Sequence, residues 1–533
     1  MKIKKKHHAL LQTYHRLKTE HFSFDRISSY FRNTDHSNYR QVISDATCQD
    51  LDFDELFMLM DRTCSKVGQQ YLYHTLRTIP EEDNRVNQME RLISFFQSEK
   101  KSKDLSIISL HALSKPSAYF LQSLIYSKHI EKPKWFWAIR LSSVLTILSI
   151  ILTFIKPIFF LLLLVLFTTN FIVHVWNKNN IHRYSNAIPQ ILLLEKVTSQ
   201  LQKLAIPGSD DQSISDALKT IKEIKSKARY FKLEARMESD AAQVGEMFLE
   251  LIKTLFLVEP IFLFNILDKL DSKRKEIETL FQFVGAVDVA ISVDAYRNSL
   301  NYYSKPEFIT AEKSFECRAI VHPLLKDAVA NSLQIKDGKS ILISGSNMSG
   351  KTTFIRTIGI NCLLAQTINT TLSRTMKMPK LNVYSAIRIA DDLMDEKSYY
   401  LEEVLTIKKM IENSSKDEAA LFLLDELFKG TNTTERVAAG KAVLSHLNQR
   451  SNLVFAATHD LELTEHLRDS FRFYHFTEVI EDDQLSFDYQ LKDGKLVHTN
   501  AIRILEINGY PKEVIEEARN LVERKITTDS TFK

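Results

Sequence analysis

Ile341-Leu-Ile-Ser-Gly-Ser-Asn-Met-Ser-Gly-Lys-Thr-Thr-Phe354 joins an apolar run, a glycine-bounded loop and the start of a second apolar pattern. Gly345 and Gly350 bracket four residues ahead of Lys351 and Thr352, the G-x-x-x-x-G-K-[ST] spacing in which backbone N–H groups wrap phosphates. The residues before the loop, from Lys339 to Ile343, read as a buried strand. Those after it (Phe354, Ile355, Ile358, Cys362, Leu363) repeat at helical spacing. With strand and helix on the correct sides, the pattern predicts a nucleoside triphosphate site rather than a chance match. Its binding residues are Gly345, Ser346, Asn347, Met348, Ser349, Gly350, Lys351, Thr352 and Thr353. Lys351 is expected to reach the β/γ-phosphates, and the Thr352 hydroxyl to ligate Mg²⁺.

Two later stretches supply the acids and a histidine that such a site uses. Ala419 to Glu426 is an apolar run ending in two carboxylates, as a central parallel strand delivers acids to the phosphate edge of a sheet. Asp425 is then the Mg²⁺-side carboxylate and Glu426 the general base for water. Leu453 to Ala457 is a second apolar strand, followed by Thr458-His459-Asp460, which would set His459 beside the γ-phosphate. An acidic pair can also be a plain helix start, and a lone histidine a core residue. The shared order and spacing favour catalysis, with Lys351, Glu426 and His459 as the catalytic set and ATP with Mg²⁺ as cofactors.

The stretches Gly345 to Thr353, Asp391-Asp-Leu followed by Lys397-Ser398, Asp425-Glu-Leu-Phe-Lys-Gly-Thr431 and Ala457-Thr-His459 resemble the successive ATPase motifs of the MutS family of DNA mismatch-repair proteins. The Asn347-Met348 pair is the most diagnostic. Upstream, Asp54 to Phe57, Asp61-Arg-Thr63, Val67 to Leu72 and Arg85 to Phe96 are similar to the start of the MutS core, and Phe283 to Ser292 to the end of its lever helices. The resemblance implies a homodimer with composite sites, in which Ser398 meets the γ-phosphate of the other subunit, and double-stranded DNA as a partner. It also shows departures. No Phe-x-Glu signature precedes residue 50, so mismatch reading is not expected of this chain. Phe428 stands where the family usually has glycine, and Glu396-Lys-Ser-Tyr399 replaces its Gly-Arg-Ser-Thr pattern.

Between Trp135 and Trp176 the composition changes. Leu141 to Ile155 is uncharged, and after Lys156-Pro157 the run Ile158 to Trp176 is uncharged apart from His174. Two spans of roughly 20 apolar residues with aromatic and basic flanks predict a transmembrane helical hairpin over 135–176. Lys132, Lys134, Lys178 and Arg183 place both ends, and the ATPase, on the cytoplasmic side of the cell (inner) membrane. The alternative is a buried helical hairpin in a soluble core. Met1-Lys-Ile-Lys-Lys-Lys-His-His is basic with no apolar run behind it, so no cleavable signal is expected.

The remaining composition constrains function less. Four scattered cysteines (Cys48, Cys64, Cys317, Cys362) give neither a disulfide framework nor a zinc spacing. A net charge of +4 does not announce a nucleic-acid binder. Locally, Lys222, Lys225, Lys227, Arg229, Lys232 and Arg236 crowd one predicted helix, and Lys269 to Lys275 forms a smaller basic cluster. Both a phosphate-contacting face and an ordinary solvated face fit, because Glu223, Glu234 and Glu238 interleave.

The expected class is α plus α/β, in five parts. These are a helical core segment (1–130), the hairpin (131–183), lever-like helices (184–304), a doubly wound P-loop ATPase of ABC type (305–500) and a C-terminal helix-turn-helix dimerisation element (501–533). The expected function is a membrane-anchored, multi-pass MutS-like ATPase that clamps DNA. The competing expectation is a membrane mechanoenzyme that does not act on DNA.

Overall fold

The computed structural model describes residues 2–223, 243–310, 313–346, 348–388, 399–481, 484–496 and 501–531. The chain is a mixture of helices and sheets arranged in two compact units. One unit contains Met1–Ser37, Met60–Arg77 and Glu82–Asn298; the other contains Asn38–Leu59, Thr78–Glu81 and Ser299–Lys533.

In the first unit, helix α1 (Lys66–Arg77) is almost wholly buried, and two glycines on different helices permit a close helix packing. A Cβ on Gly68 would lie 2.1 Å from a carboxylate oxygen of Asp288. One on Gly285 would lie 2.6 Å from the Cβ of Tyr71. Ser65 caps α1 by accepting from the Gly68 N–H, and Asp288 accepts from the backbone N–H groups of Cys64 and Ser65 at 2.8 Å each. Helix-start amides that would lack partners are thereby satisfied. Burial lifts the Asp288 carboxyl to about 6, against the pull of those donors.

The same unit carries helices α2 (Phe136–Ile155) and α3 (Phe159–Ser185), separated at Lys156-Pro157. The windows Phe136–Ile155 and Phe159–Lys178 are long and apolar enough to cross a membrane, with mean hydropathy 2.1 each. Only 17% and 11% of them is buried, whereas a core helix of a soluble protein is mostly covered. Polar residues on these helices turn inward: Thr146, Ser149, Asn170, His174 and Asn177 are buried, while Val144, Phe154, Leu161 and Val165 are exposed. Helices α4 (Gln243–Phe256) and α5 (Val258–Asp271) pack on the hairpin and precede α6 (Arg274–Arg297), which holds Gly285 and Asp288.

The second unit is built on a six-stranded sheet. Its strands are β1 (Ser340–Ser344), β2 (Asn382–Ala386), β3 (Ala420–Asp425), β4 (Leu453–Thr458), β5 (Phe471–His475) and β6 (Lys492–Asp493). The spatial order is β6-β5-β1-β4-β3-β2, parallel throughout except for β6. Continuous apolar runs such as Ala420 to Leu424 are buried on both faces, as a parallel sheet requires. Helix α7 (Lys351–Ile368) covers one face, where Gly359 lets it approach Leu423. Helices α8 (Tyr399–Ser414) and α9 (Thr433–Leu447) cover the other, packing Ile407, Met410, Val437 and Leu444 against Phe422, Leu424 and Val454.

Residues far away in sequence cover the β2 edge. The Gln41 side chain exchanges two hydrogen bonds with the Val383 backbone, at 2.7 and 2.8 Å. Asp50 accepts from the N–H groups of Ile387 and Arg388 and from the Ser385 hydroxyl. A smaller sheet of Glu307–Phe308, Thr375–Met378, Phe315–Ile320 and Asn331–Ile335 adjoins in the same unit. Near the end, α10 (Ala501–Ile507) and α11 (Lys512–Thr531) are joined through Gly509 at φ +75°.

Candidate nucleotide site

The loop between β1 and α7 turns through three residues in the left-handed region, Gly345 (φ +151°), Met348 (+66°) and Gly350 (+107°). Only glycine fits at position 345, because a Cβ there would come within 2.6 Å of the Phe476 carbonyl oxygen. Helix α7 begins at Lys351, ahead of Phe354, the first apolar position of the helical pattern, so its N-terminus, with its partly unpaired amides and positive dipole end, faces the loop. The Lys351 ammonium donates to the carbonyls of Gly345 (2.9 Å) and Ser346 (2.8 Å) and lies 3.3 Å from His459 Nε2. Burial lowers its pKa, with Glu426 and Asp425 acting in the opposite sense. Ser346 Oγ donates to Glu478, and Ser349 Oγ donates to the Ser346 carbonyl.

Parallel pairing brings the acids to this loop. Asp425 ends β3 opposite Ala457 of β4, and the Glu426 N–H donates to the Ala457 carbonyl at 3.0 Å. His459 therefore emerges next to Glu426. The Thr352 hydroxyl donates to Asp425 Oδ2 at 2.6 Å. The other oxygen, Asp425 Oδ1, is buried with no hydrogen-bond partner. A hydroxyl beside a carboxylate with one unused buried oxygen fits a hard divalent cation that takes oxygen ligands.

Glu426 is held in an uncommon backbone conformation, φ +53°. Its carboxylate meets His459 Nε2 at 2.6 Å and Lys429 Nζ at 2.7 Å. The hydrogen bond from His459, then that from Lys429, pulls its pKa down to about 2. Phe428, two residues on, also has positive φ (+59°) and is buried. Its N–H donates to Glu403 of α8, whose second oxygen is buried without a partner and whose carboxyl pKa is raised by burial. Arg436 of α9 forms a bidentate pair with Asp460, just after His459.

A cavity of about 640 Å³ opens beside the loop. Its lining combines apolar and aromatic groups, among them Leu325, Val329, Phe354, Phe476 and Tyr489, with polar ones that include His322, Lys326, Asp327, Lys351, Thr352 and Glu426. Asn331 fixes the Tyr489 segment, donating to the Tyr489 carbonyl and accepting from the Leu491 N–H.

Of the residues picked out from sequence, Gly345, Ser346, Met348, Ser349, Gly350, Lys351, Thr352, Thr353, Asp425, Glu426 and His459 gather around this loop. Asn347, Asp391, Asp392, Lys397 and Ser398 lie outside the described residues, as do Lys225, Lys227, Arg229, Lys232 and Arg236. In the second basic cluster, Lys273 and Arg274 pair with Glu276 and Asp271, as on an ordinary solvated surface. Sequence reasoning missed Glu403, Lys429 and Tyr489. Lys429 sits within a stretch already singled out. Nothing local distinguishes Glu403 or Tyr489, because their partners lie 25 and more residues away.

A family model described as MutS domain V matches residues 341–525. The DNA mismatch repair protein MutS of Streptococcus uberis is 26% identical over 318 residues, covering 56% of this chain and 36% of that protein. The protein of the same description from Thermus thermophilus is 30% identical over 258 residues, 47% of this chain and 31% of the relative. That from Aquifex pyrophilus is 29% identical over 208 residues, 38% and 24%. The matched stretch thus spans roughly a third or less of these curated relatives. The matched region holds β1, the loop, both carboxylates and His459, and on these grounds the chain carries a MutS-family domain over residues 341–525.

Proposed function

We propose that this protein is an ATP-hydrolysing MutS-family motor with a role related to DNA mismatch repair, tethered to a membrane by the α2–α3 hairpin. The observation that carries the hydrolytic reading is the meeting of Thr352–Asp425 and Glu426–His459 on one phosphate-type loop. ATP would place its phosphates over Gly345 to Thr353 and its base in the adjoining cavity, against Tyr489 and the apolar wall. Lys351, now bonded to carbonyls of its own loop, would exchange them for phosphate oxygens. Thr352 and Asp425 would hold Mg²⁺, which when bound neutralises the phosphate oxygens of the nucleotide.

Glu426 is the proposed general base. Its carboxylate is ionised across the physiological range, but His459 and Lys429 occupy it, so turnover requires these two groups to turn from it toward the γ-phosphate. His459 would then sense or position that phosphate. Residues 305–500 are the proposed ATPase part and 501–533 the proposed dimerisation element. In a homodimer, Ser398 of a second copy would complete the site, a role resting on the family resemblance alone. The ATPase would face the cytoplasm from the cell membrane, with double-stranded DNA as the partner of the lever region.

The test is ATP hydrolysis by the detergent-solubilised full chain, with and without duplex, branched and single-stranded DNA, at two salt concentrations. Salt-sensitive stimulation by duplex or branched DNA is expected, because phosphate contacts release counterions. Turnover indifferent to every DNA would sink the DNA assignment and leave the motor; no turnover, with Lys351→Ala indistinguishable from wild type, would remove the ATPase reading.

A further inference from the structure

We infer that the corner between α4 and α5, around Leu255-Phe256-Leu257-Val258, is a re-entrant element that dips to the depth of the lipid chains beside the hairpin, making a third membrane-embedded segment. The inference rests on the reading of α2 and α3 as membrane-spanning, and goes beyond it, since α4 and α5 carry too many charges to register as spans.

The contacts order themselves along the hairpin axis. Trp135 and Trp176 pair at 5.2 Å between ring centroids, where the aromatic belt of a membrane protein marks the interface. Asn170 precedes Trp176 by six residues, about 9 Å of helix toward the bilayer interior. At that depth the Asn170 amide donates to the Leu255 carbonyl at 2.7 Å, and Ser143 Oγ donates to the Phe256 carbonyl at 2.8 Å. Nearer the belt, His174 lies between Glu250 of α4 (3.3 Å) and Glu259 of α5 (3.4 Å), and Lys253 pairs with Glu259 at 3.1 Å. Phe264 stacks on Trp176 at 6.2 Å. Further along α5, Asn265 accepts from Arg140 in the first turns of α2, and Asp268 from Lys132, which precedes that helix. Helix α4 therefore descends along α3, turns at the level of Asn170, and α5 climbs back.

The chemistry of the corner fits hydrocarbon. The last carbonyls of a helix have no intrahelical partner, and water satisfies them in a soluble protein. Here two hairpin side chains do so, as is required where water is absent. Asn170 is itself completed by Ser142 and Thr146. Thr254 to Val258 carries no charge, and Leu257, at φ +48°, is fully buried in a cluster with Phe136, Ile139 and Phe264. The ionisable groups of α4 and α5 next to the corner point back at one another and at His174, the arrangement expected of charges close to lipid.

The four native cysteines are all buried, so single introduced cysteines can be labelled selectively. Full-length Phe256→Cys and Leu251→Cys would be labelled with an environment-sensitive fluorophore and reconstituted in phosphatidylcholine vesicles. Val144→Cys and Leu164→Cys, on exposed faces of the hairpin, serve as references. Quenching would be read with lipids bearing a nitroxide near the headgroup or near the chain end, and with aqueous iodide. The expected result is that the hairpin references are quenched by lipid nitroxides, and that the Phe256→Cys label loses emission to the headgroup-proximal nitroxide and is protected from iodide. Hairpin labels quenched by lipid while both corner labels respond only to iodide would overturn the re-entrant corner and leave the membrane hairpin standing. Iodide quenching at all four sites would overturn both. Leu251→Cys lies at an exposed position and reports independently if Phe256→Cys does not fold.

Discussion

At the residue scale, the proposed chemistry turns on the contact between Glu426 and His459. Glu426→Gln removes the proposed base without changing side-chain volume, so the variant should still bind nucleotide while hydrolysis falls by about a hundredfold or more. Lys351→Ala should instead lose nucleotide binding. Equilibrium binding of a fluorescent ATP analogue beside phosphate release separates the two outcomes, and normal turnover in Glu426→Gln would remove that residue from the mechanism. The pH dependence has a definite sign. His459 is the main cause of the depressed Glu426 pKa of about 2, and a depressed carboxylate stays ionised until the pH falls through its pKa. In His459→Ala that pKa should rise toward the ordinary glutamate value of about 4.3. The acid limb of the kcat/KM profile, which reports the nucleotide-free enzyme in which His459 holds Glu426, should move to higher pH, beneath whatever overall loss the variant shows; an unmoved limb would mean that another group titrates. Phe428 presents a balance of a different kind. Its left-handed backbone costs on the order of 1–2 kcal/mol for a residue with a side chain. Its buried ring is worth more, about 3–5 kcal/mol on truncation, which explains how a phenylalanine persists where the family usually has glycine.

At the scale of elements, two packings carry the first unit. The close approaches at Gly68 and Gly285 leave no room for a methyl group. Gly68→Ala should destabilise the protein by about 3 kcal/mol, the upper end of ordinary overpacking, measured by denaturant unfolding. Gly440→Ala on α9 is the contrast: its added Cβ would meet Leu463 at an ordinary 3.7 Å, and the change should be neutral or stabilise by up to about 1 kcal/mol. Equal losses in the two variants would refute the close-packing account. In the hairpin, Asn170→Ala leaves the Leu255 carbonyl without its donor and should cost about 1 kcal/mol. Leu164→Ala, on an exposed apolar face, should cost much less in lipid. Unfolding of both in the same vesicles, by titration with a denaturing detergent, checks the ordering.

At the scale of the whole molecule, the hairpin makes a prediction independent of the ATPase. Full-length protein expressed in cells should remain with the membrane fraction through an alkaline carbonate wash; release into the supernatant would remove the membrane assignment. The two apolar helices were legible in the sequence because hydropathy is a local property, additive over the roughly 20 residues of a span. The tight loop between β1 and α7 was legible for the same reason, since its glycines, Lys351 and Thr352 lie within one short stretch of backbone. The family resemblance also came from short motifs, and the comparisons support it. The arrangement of Glu403, Tyr489 and the α4–α5 corner was not legible, because each depends on partners brought together by packing. The sequence by itself therefore determined the three apolar strands that flank the glycine-bounded loop, the carboxylate pair and His459, together with the two long apolar helices, through periodicity and spacing between near neighbours. Only the tertiary structure decided that residues 38–59 belong to the sheet-bearing unit, with Gln41 and Asp50 covering its β2 edge, and that Glu426 is held by His459 and Lys429. The physical reason is that an exposed sheet edge or a buried carboxylate must find a partner, and the folded chain selects that partner by proximity in space, across more than 300 residues of sequence in the case of Gln41 and Val383.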